Sequence, residues 1–114
     1  MRIEDLAKQI DAVVFTRGGG GSIDVGQVYA GDRVSDLLAA AGHHALLISN
    51  LASGQMIRVA ELMDIPAICL VNGQEPEPEM IETAQEHGTL LMVSSAGLFE
   101  TCGRVYDCLA KETR

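Results

Sequence analysis

Residues 28–71 read VYAGDRVSDLLAAAGHHALLISNLASGQMIRVAELMDIPAICLV. Two short apolar runs, Ala45-Leu46-Leu47-Ile48 and Ala67-Ile68-Cys69-Leu70-Val71, frame a stretch with apolar residues at Met56, Val59, Ala60 and Met63. The spacing inside the stretch is helical, and the runs are too short and too continuously apolar for half-exposed strands. The segment therefore reads as one βαβ unit whose strands lie in a parallel sheet covered on both faces.

The same alternation extends outward in both directions. Towards the N-terminus, Ile3, Leu6, Ala7 and Ile10 form one stripe on a helix over residues 2–10. Ala12–Thr16 is a β-prone run, and Gly18–Ser22 interrupts regular structure. Val25 and Gln27–Ala30 suggest a second strand, with a bend or bulge at Gly26. Asp32 is placed to cap a helix carrying Val34, Leu37, Leu38 and Ala41, which Gly42 would close before the turn histidines His43 and His44. Towards the C-terminus, a loop begins at Asn72-Gly73, and Pro78 suits the first turn of a helix that ends at Gly88. Thr89–Val93 reads as a strand. Ser94 or Ser95 is expected to cap a last helix carrying Leu98, Cys102, Val105 and Leu109, a stripe expected in the core. The order is α-β-β-α-β-α-β-α-β-α: a three-layer α/β domain over residues 1–114, with about five mostly parallel or mixed strands and flanking helices. Sequence alone leaves the strand order open.

Composition narrows the function classes. The 114 residues contain 4% aromatics and no tryptophan, so the core is aliphatic. A net charge of −8 disfavours nucleic acid and anionic membrane, both of which need a positive surface. Cys69, Cys102 and Cys108 have neither CxxC spacing nor a histidine at ligand spacing, so neither a metal site nor a disulfide framework is expected. The odd cysteine count, with no signal peptide and no apolar run near the ~20 residues that cross a bilayer, suggests a cytoplasmic protein.

Three turns carry the candidate chemistry. Gly18–Ser22 lacks the Walker lysine and the G-x-G-x-x-G spacing. Gly31–Asp36 gathers Asp32, Arg33, Ser35 and Asp36 at a strand end. Ser49–Gln55 offers Ser49, Asn50, Ser53 and Gln55 between a strand end and a helix start, with Ser53 as the cap. Ser94–Gly97 repeats that geometry with Ser94 and Ser95. Ligands of open α/β sheets sit beyond such strand ends, where helix N–H groups hold anions. These ten residues are the candidate ligand contacts. No catalytic residue, metal ligand or cofactor is assigned. A satisfied set of caps and loop supports is the alternative at each turn.

These loops resemble the DRTGG domain family, particularly its short stand-alone members encoded near iron-only hydrogenase genes. The resemblance rests on VYAGDRVSD (28–36), LLISNLASGQMIRVAEL (46–62), AICLVNGQEPEPEMIETAQEHG (67–88) and SSAGLFETCGRVYD (94–107). Related domains accompany CBS-domain pyrophosphatases, phosphotransacetylases and the N-terminal region of the histidine-containing phosphocarrier kinase/phosphorylase. At the corresponding strand end this chain has SNLASG (49–54) in place of DRTGG, and it lacks the kinase's P-loop domain. The resemblance implies a non-catalytic regulatory, ligand-sensing or assembly domain. The alternative is a small enzyme, or a protein that binds a nucleotide or phosphometabolite. For an enzyme, Asp32, Asp36 and Ser49 would be the reactive groups. The expected partners are a second copy, a small anionic ligand or nucleotide, and a redox-enzyme or signalling protein. The glycine-rich segment with Val25–Tyr29 is the expected dimer edge.

Overall fold

The computed structural model describes residues 1–18, 23–32 and 45–112. Their elements are α1 (Ile3–Gln9), β1 (Val13–Arg17), β2 (Val28–Ala30), β3 (Leu46–Ser49), α2 (Gly54–Leu62), β4 (Ala67–Leu70), α3 (Pro78–His87), β5 (Leu90–Val93) and α4 (Leu98–Glu112). The expected helix after Asp32, its closing Gly42 and the His43-His44 turn lie outside the described residues.

The five strands form one sheet in the order β1-β5-β4-β3-β2. β2 through β5 are parallel, and β1 joins the outer side of β5 antiparallel. The three inner strands are buried along their whole length, as expected of a parallel sheet covered on both faces. Alternation then sends side chains to two separate cores. Leu46, Ile48, Ala67, Cys69, Leu90 and Met92 face α1 and α4. Leu47, Ile68, Leu70, Leu91 and Val93 face α2 and α3. Each fully buried Leu or Ile contributes about 1.5–3 kcal/mol relative to exposure. The expected stripe of α4 does belong to the core: Val105 is buried, and Leu98, Cys102 and Leu109 pack partly buried against it.

Chain reversals use one device three times. Ala12 N donates to Ala7 O, Ile65 N to Ala60 O and Thr89 N to Ala84 O, each closing a helix across a left-handed residue. That residue is Asp11 (φ 60°), Asp64 (φ 57°) or Gly88 (φ 69°).

Two local expectations are corrected. The second strand begins at Val28 and not at Val25, and Gly26 marks no bulge. Val25 N is drawn instead to Met1 O, and Asp24 bridges Arg2, which takes this segment out of the ladder. The bulge lies in β1, where the register slips between Val14 and Thr16. There the buried Thr16 hydroxyl donates to Thr89 O (2.6 Å) and accepts from Leu91 N (2.9 Å), repairing the interrupted ladder.

Candidate functional site

Because β2 to β5 are parallel, their C-terminal ends share one end of the sheet, and there Asp32 meets the turns that follow β3, β4 and β5. Asp32, just past β2, reaches across to the end of β3. Its Oδ1 accepts from Ser49 Oγ at 2.8 Å and from Asn50 N at 2.7 Å, and its Oδ2 accepts from Asn50 Nδ2 at 3.3 Å. Partial burial raises the pKa of this carboxyl, but the bonds from Asn50 and Ser49 outweigh it, and the net value falls below the ordinary 3.8. Ser49 is fully buried, and its oxygen also accepts from Leu51 N at 3.0 Å, which fixes the turn after β3.

The network continues to β4 and β5. Asn50 Oδ1 accepts from Asn72 Nδ2 at 2.9 Å. Asn72 N donates to Ala96 O and Gly73 N to Ser94 O, at 2.7 and 2.9 Å, so the turns after β4 and β5 are held together. Gly97 completes the contact: a Cβ built there would lie 3.4 Å from Asn72 Oδ1. Asn72 was not among the residues expected from sequence. Its signal is an Asn-Gly pair directly after a strand, the composition of a left-handed turn, and Asn72 does take φ 62°.

The serines expected as caps behave differently. Ser53 occupies the N-cap position of α2, but its side chain makes no capping hydrogen bond. No acidic residue stands in the first turn of α2; the carboxylate beside its positive end comes from α3, where Glu79 Oε1 lies 4.0 Å from the place a Cβ of Gly54 would take. Gln55 is exposed on that turn. Neither Ser94 nor Ser95 caps α4. The carbonyl that opens the helix is Gly97 O, which accepts from Thr101 N. Ser94 Oγ is buried and shares a 2.9 Å hydrogen bond with Thr101 Oγ1, because Thr101 turns inward one turn into the helix. Ser95 is exposed and lines a separate depression with Gly73, Gln74, Val13 and Phe15. Arg33, Ser35 and Asp36 lie outside the described residues.

The arrangement is therefore a rigid hydrogen-bonded platform of Asp32, Ser49, Asn50, Asn72 and Ser94, bordered by the uncapped start of α2. Both oxygens of Asp32 are engaged as acceptors, which leaves the carboxylate a positioning group. The Cys69 thiol is pushed up to about 12 by burial, so it holds its proton at neutral pH. Among the described residues, no group of three His, Cys, Asp or Glu side chains is arranged to hold a metal ion. Nor is any described helix long and apolar enough to cross a membrane. A depression of about 630 Å³ beside α3 is lined by Glu75, Glu77 and Glu82 with Pro76, Pro78 and Ile81, a setting that repels anions.

No protein-family model matches the chain, and no curated protein does. Among solved structures, the chain is similar to the CBS and DRTGG domains of the regulatory region of Clostridium perfringens pyrophosphatase, solved with its activator diadenosine tetraphosphate. The TM-score is 0.75 at 11% sequence identity, over 90% of this chain. The match spans 45% of the other chain. At that identity the likeness is one of fold: a five-stranded α/β domain that also occurs in a regulatory region.

Proposed function

We propose that this chain is a non-catalytic regulatory domain of the DRTGG type, acting in the cytoplasm as a single-domain homodimer that senses a small anionic ligand. The ligand class is a nucleotide or phosphorylated metabolite, bound at the C-terminal strand ends between Gly31–Asp36, Ser49–Gln55 and Ser94–Gly97. One observation carries this reading: the start of α2, left uncapped by Ser53, stands beside a platform that Asp32, Asn50 and Asn72 lock in place. An anion there would meet the N–H groups of Gly54 and Gln55 and the neutral side chains of Ser53 and Gln55, and would have to displace the Glu79 carboxylate that lies beside Gly54. The fold likeness supports the regulatory half of the reading, because the similar region was solved with an activator that carries phosphates. Arg33 and Ser35 are proposed as contacts on the β2 side, with Asp36 as a supporting acid. Redox enzymes and signalling proteins are the proposed downstream partners, after the hydrogenase and kinase/phosphorylase associations of the resembling family.

The test is a thermal-shift screen of nucleotides, dinucleoside polyphosphates and phosphorylated metabolites, followed by chemical-shift mapping of each hit. A ligand at 100 times its Kd adds about 2.7 kcal/mol of apparent stability. Shifts centred on Asn50–Gln55 and Asn72–Gly73 support the site. Saturable binding confined to the Gly88 end of the sheet would refute it.

A further inference from the structure

The outer face of α4 is apolar where a solvent-facing helix should be polar. Phe99 is 91% exposed and Tyr106 77% exposed. With Gly103 and the half-buried Ala110 they follow one another at spacings of four, three and four, which makes a single stripe about 17 Å long on the side away from the core. The stripe continues into a groove of about 490 Å³ lined by Val28, Ala30, Ile48, Leu109 and Tyr106, where α4 passes the edge strand β2. A Cβ built on Gly103 meets nothing within 4 Å, so no contact among the described residues accounts for a glycine in mid-helix, where it costs about 1 kcal/mol relative to alanine.

The order of sizes along the stripe is large, small, large, small. Turned antiparallel against its own copy, it sets Phe99 opposite Ala110 and Tyr106 opposite Gly103. Both pairs satisfy the same two-fold axis, midway between Arg104 and Val105. The adjoining flank alternates Glu100, Arg104, Asp107 and Lys111, joined along the helix as ion pairs at 3.6 and 2.9 Å. That flank is neutral in a chain of net charge −8, so a second copy meets less repulsion there than over α3, whose exposed charges are Glu79, Glu82 and Glu86. Reversal brings Glu100 within about 3 Å, along the axis, of the level of Lys111 on the other copy, and Arg104 equally near Asp107. Parallel packing would set each charge level with its own copy.

We infer that the homodimer forms through this stripe, two α4 helices packing antiparallel with each tyrosine seated over the glycine of the other copy. The inference rests on the dimer proposed above and names its surface: α4 with the neighbouring groove, in place of the β2 edge of the sheet.

Sedimentation velocity of the full chain from 1 to 200 μM provides the test. Gly103→Leu places a strong helix former in open space, so the fold is retained and thermal stability at low concentration does not fall. Its dimer dissociation constant is expected to rise at least about tenfold, the equivalent of 1.4 kcal/mol. Arg104→Glu is expected to weaken the dimer and adding Asp107→Arg to restore it, with both variants keeping the wild-type Tm at low concentration, which separates the contact between copies from the i,i+3 pair gained within the helix. A wild-type chain that stays at 12.1 kDa at every concentration overturns the dimer itself. A wild-type dimer left unchanged by Gly103→Leu and by the charge swap overturns the α4 interface alone and returns the contact to the β2 edge.

Discussion

Replacing Asp32 by asparagine tests whether its carboxylate holds the strand-end platform together. The oxygen of the new amide can keep the Ser49 hydroxyl and Asn50 N–H, now 2.8 and 2.7 Å from Oδ1. Its NH2 then replaces Oδ2 and faces the Asn50 amide, donor against donor, at the present 3.3 Å. Two charge-assisted bonds become neutral ones, a loss of about 0.5–1.5 kcal/mol each, and the third is removed. The two weakened bonds account for about 1–3 kcal/mol and the lost third for about 0.5–1.5 kcal/mol more, with a fall in Tm of about 4–8 °C for each kcal/mol in a domain near this size. pH sharpens the test. The carboxyl titrates below its ordinary 3.8 in the folded chain, so its contribution is fully present above that value and disappears as pH falls through the lower, folded one. Urea denaturation at pH 7, 5, 4 and 3 should show a constant gap between wild type and Asp32→Asn down to pH 5, shrinking below 4. Equal stability at pH 7, or a gap that persists unchanged in acid, would refute the role assigned to Asp32.

Three further outcomes follow from the geometry. Thr16→Val keeps the shape of the β1 bulge but strips Leu91 N and Thr89 O of their partner, so denaturant unfolding should show a loss of about 1–3 kcal/mol; a change below about 0.5 kcal/mol would mean the ladder repairs itself otherwise. Asp64→Gly relieves a left-handed residue at φ 57° and should stabilise the domain by about 0.5–1 kcal/mol, seen as a raised urea midpoint. Cys69, fully buried with its pKa pushed up to about 12, should resist alkylation for hours at pH 8 in the native chain and react within minutes in guanidinium; rapid native labelling at that position would contradict the packing of β4.

Much of this architecture was legible in the sequence because burial on both faces leaves a local signature. Leu46–Ile48, Ala67–Leu70 and Leu90–Val93 are apolar at consecutive positions, and each lies where it was read. Pro78 and Gly88 punctuate α3 as their backbone preferences require. What sequence did not reveal depends on distant partners. Nothing local to Val13–Arg17 says that it pairs antiparallel with β5, since that is decided by register against Leu90–Val93. The serines misled for a related reason. Ser53 and Ser94 have the composition of helix caps, but Ser94 found the inward-turned Thr101, and Ser53 remains uncapping at the start of α2. At the candidate site, the polar content of the turns was readable. The bond from Asn72 to Asn50 joins residues 22 apart and emerges only once β3 and β4 are side by side.

The antiparallel seating of β1 sets a timetable for the nascent chain. Thr16 and the carbonyl it bonds are 73 residues apart, so at synthesis rates of about 5–20 residues per second the first strand leaves the ribosome some 4–15 s before its partner exists. During that interval β3 and β4 can pair through their own short crossover, while Val13, Val14 and Phe15 have no sheet to join. β1 is thus made well before β5 yet can dock only after it, and a chaperone that meets this domain during translation should meet it at α1 and β1.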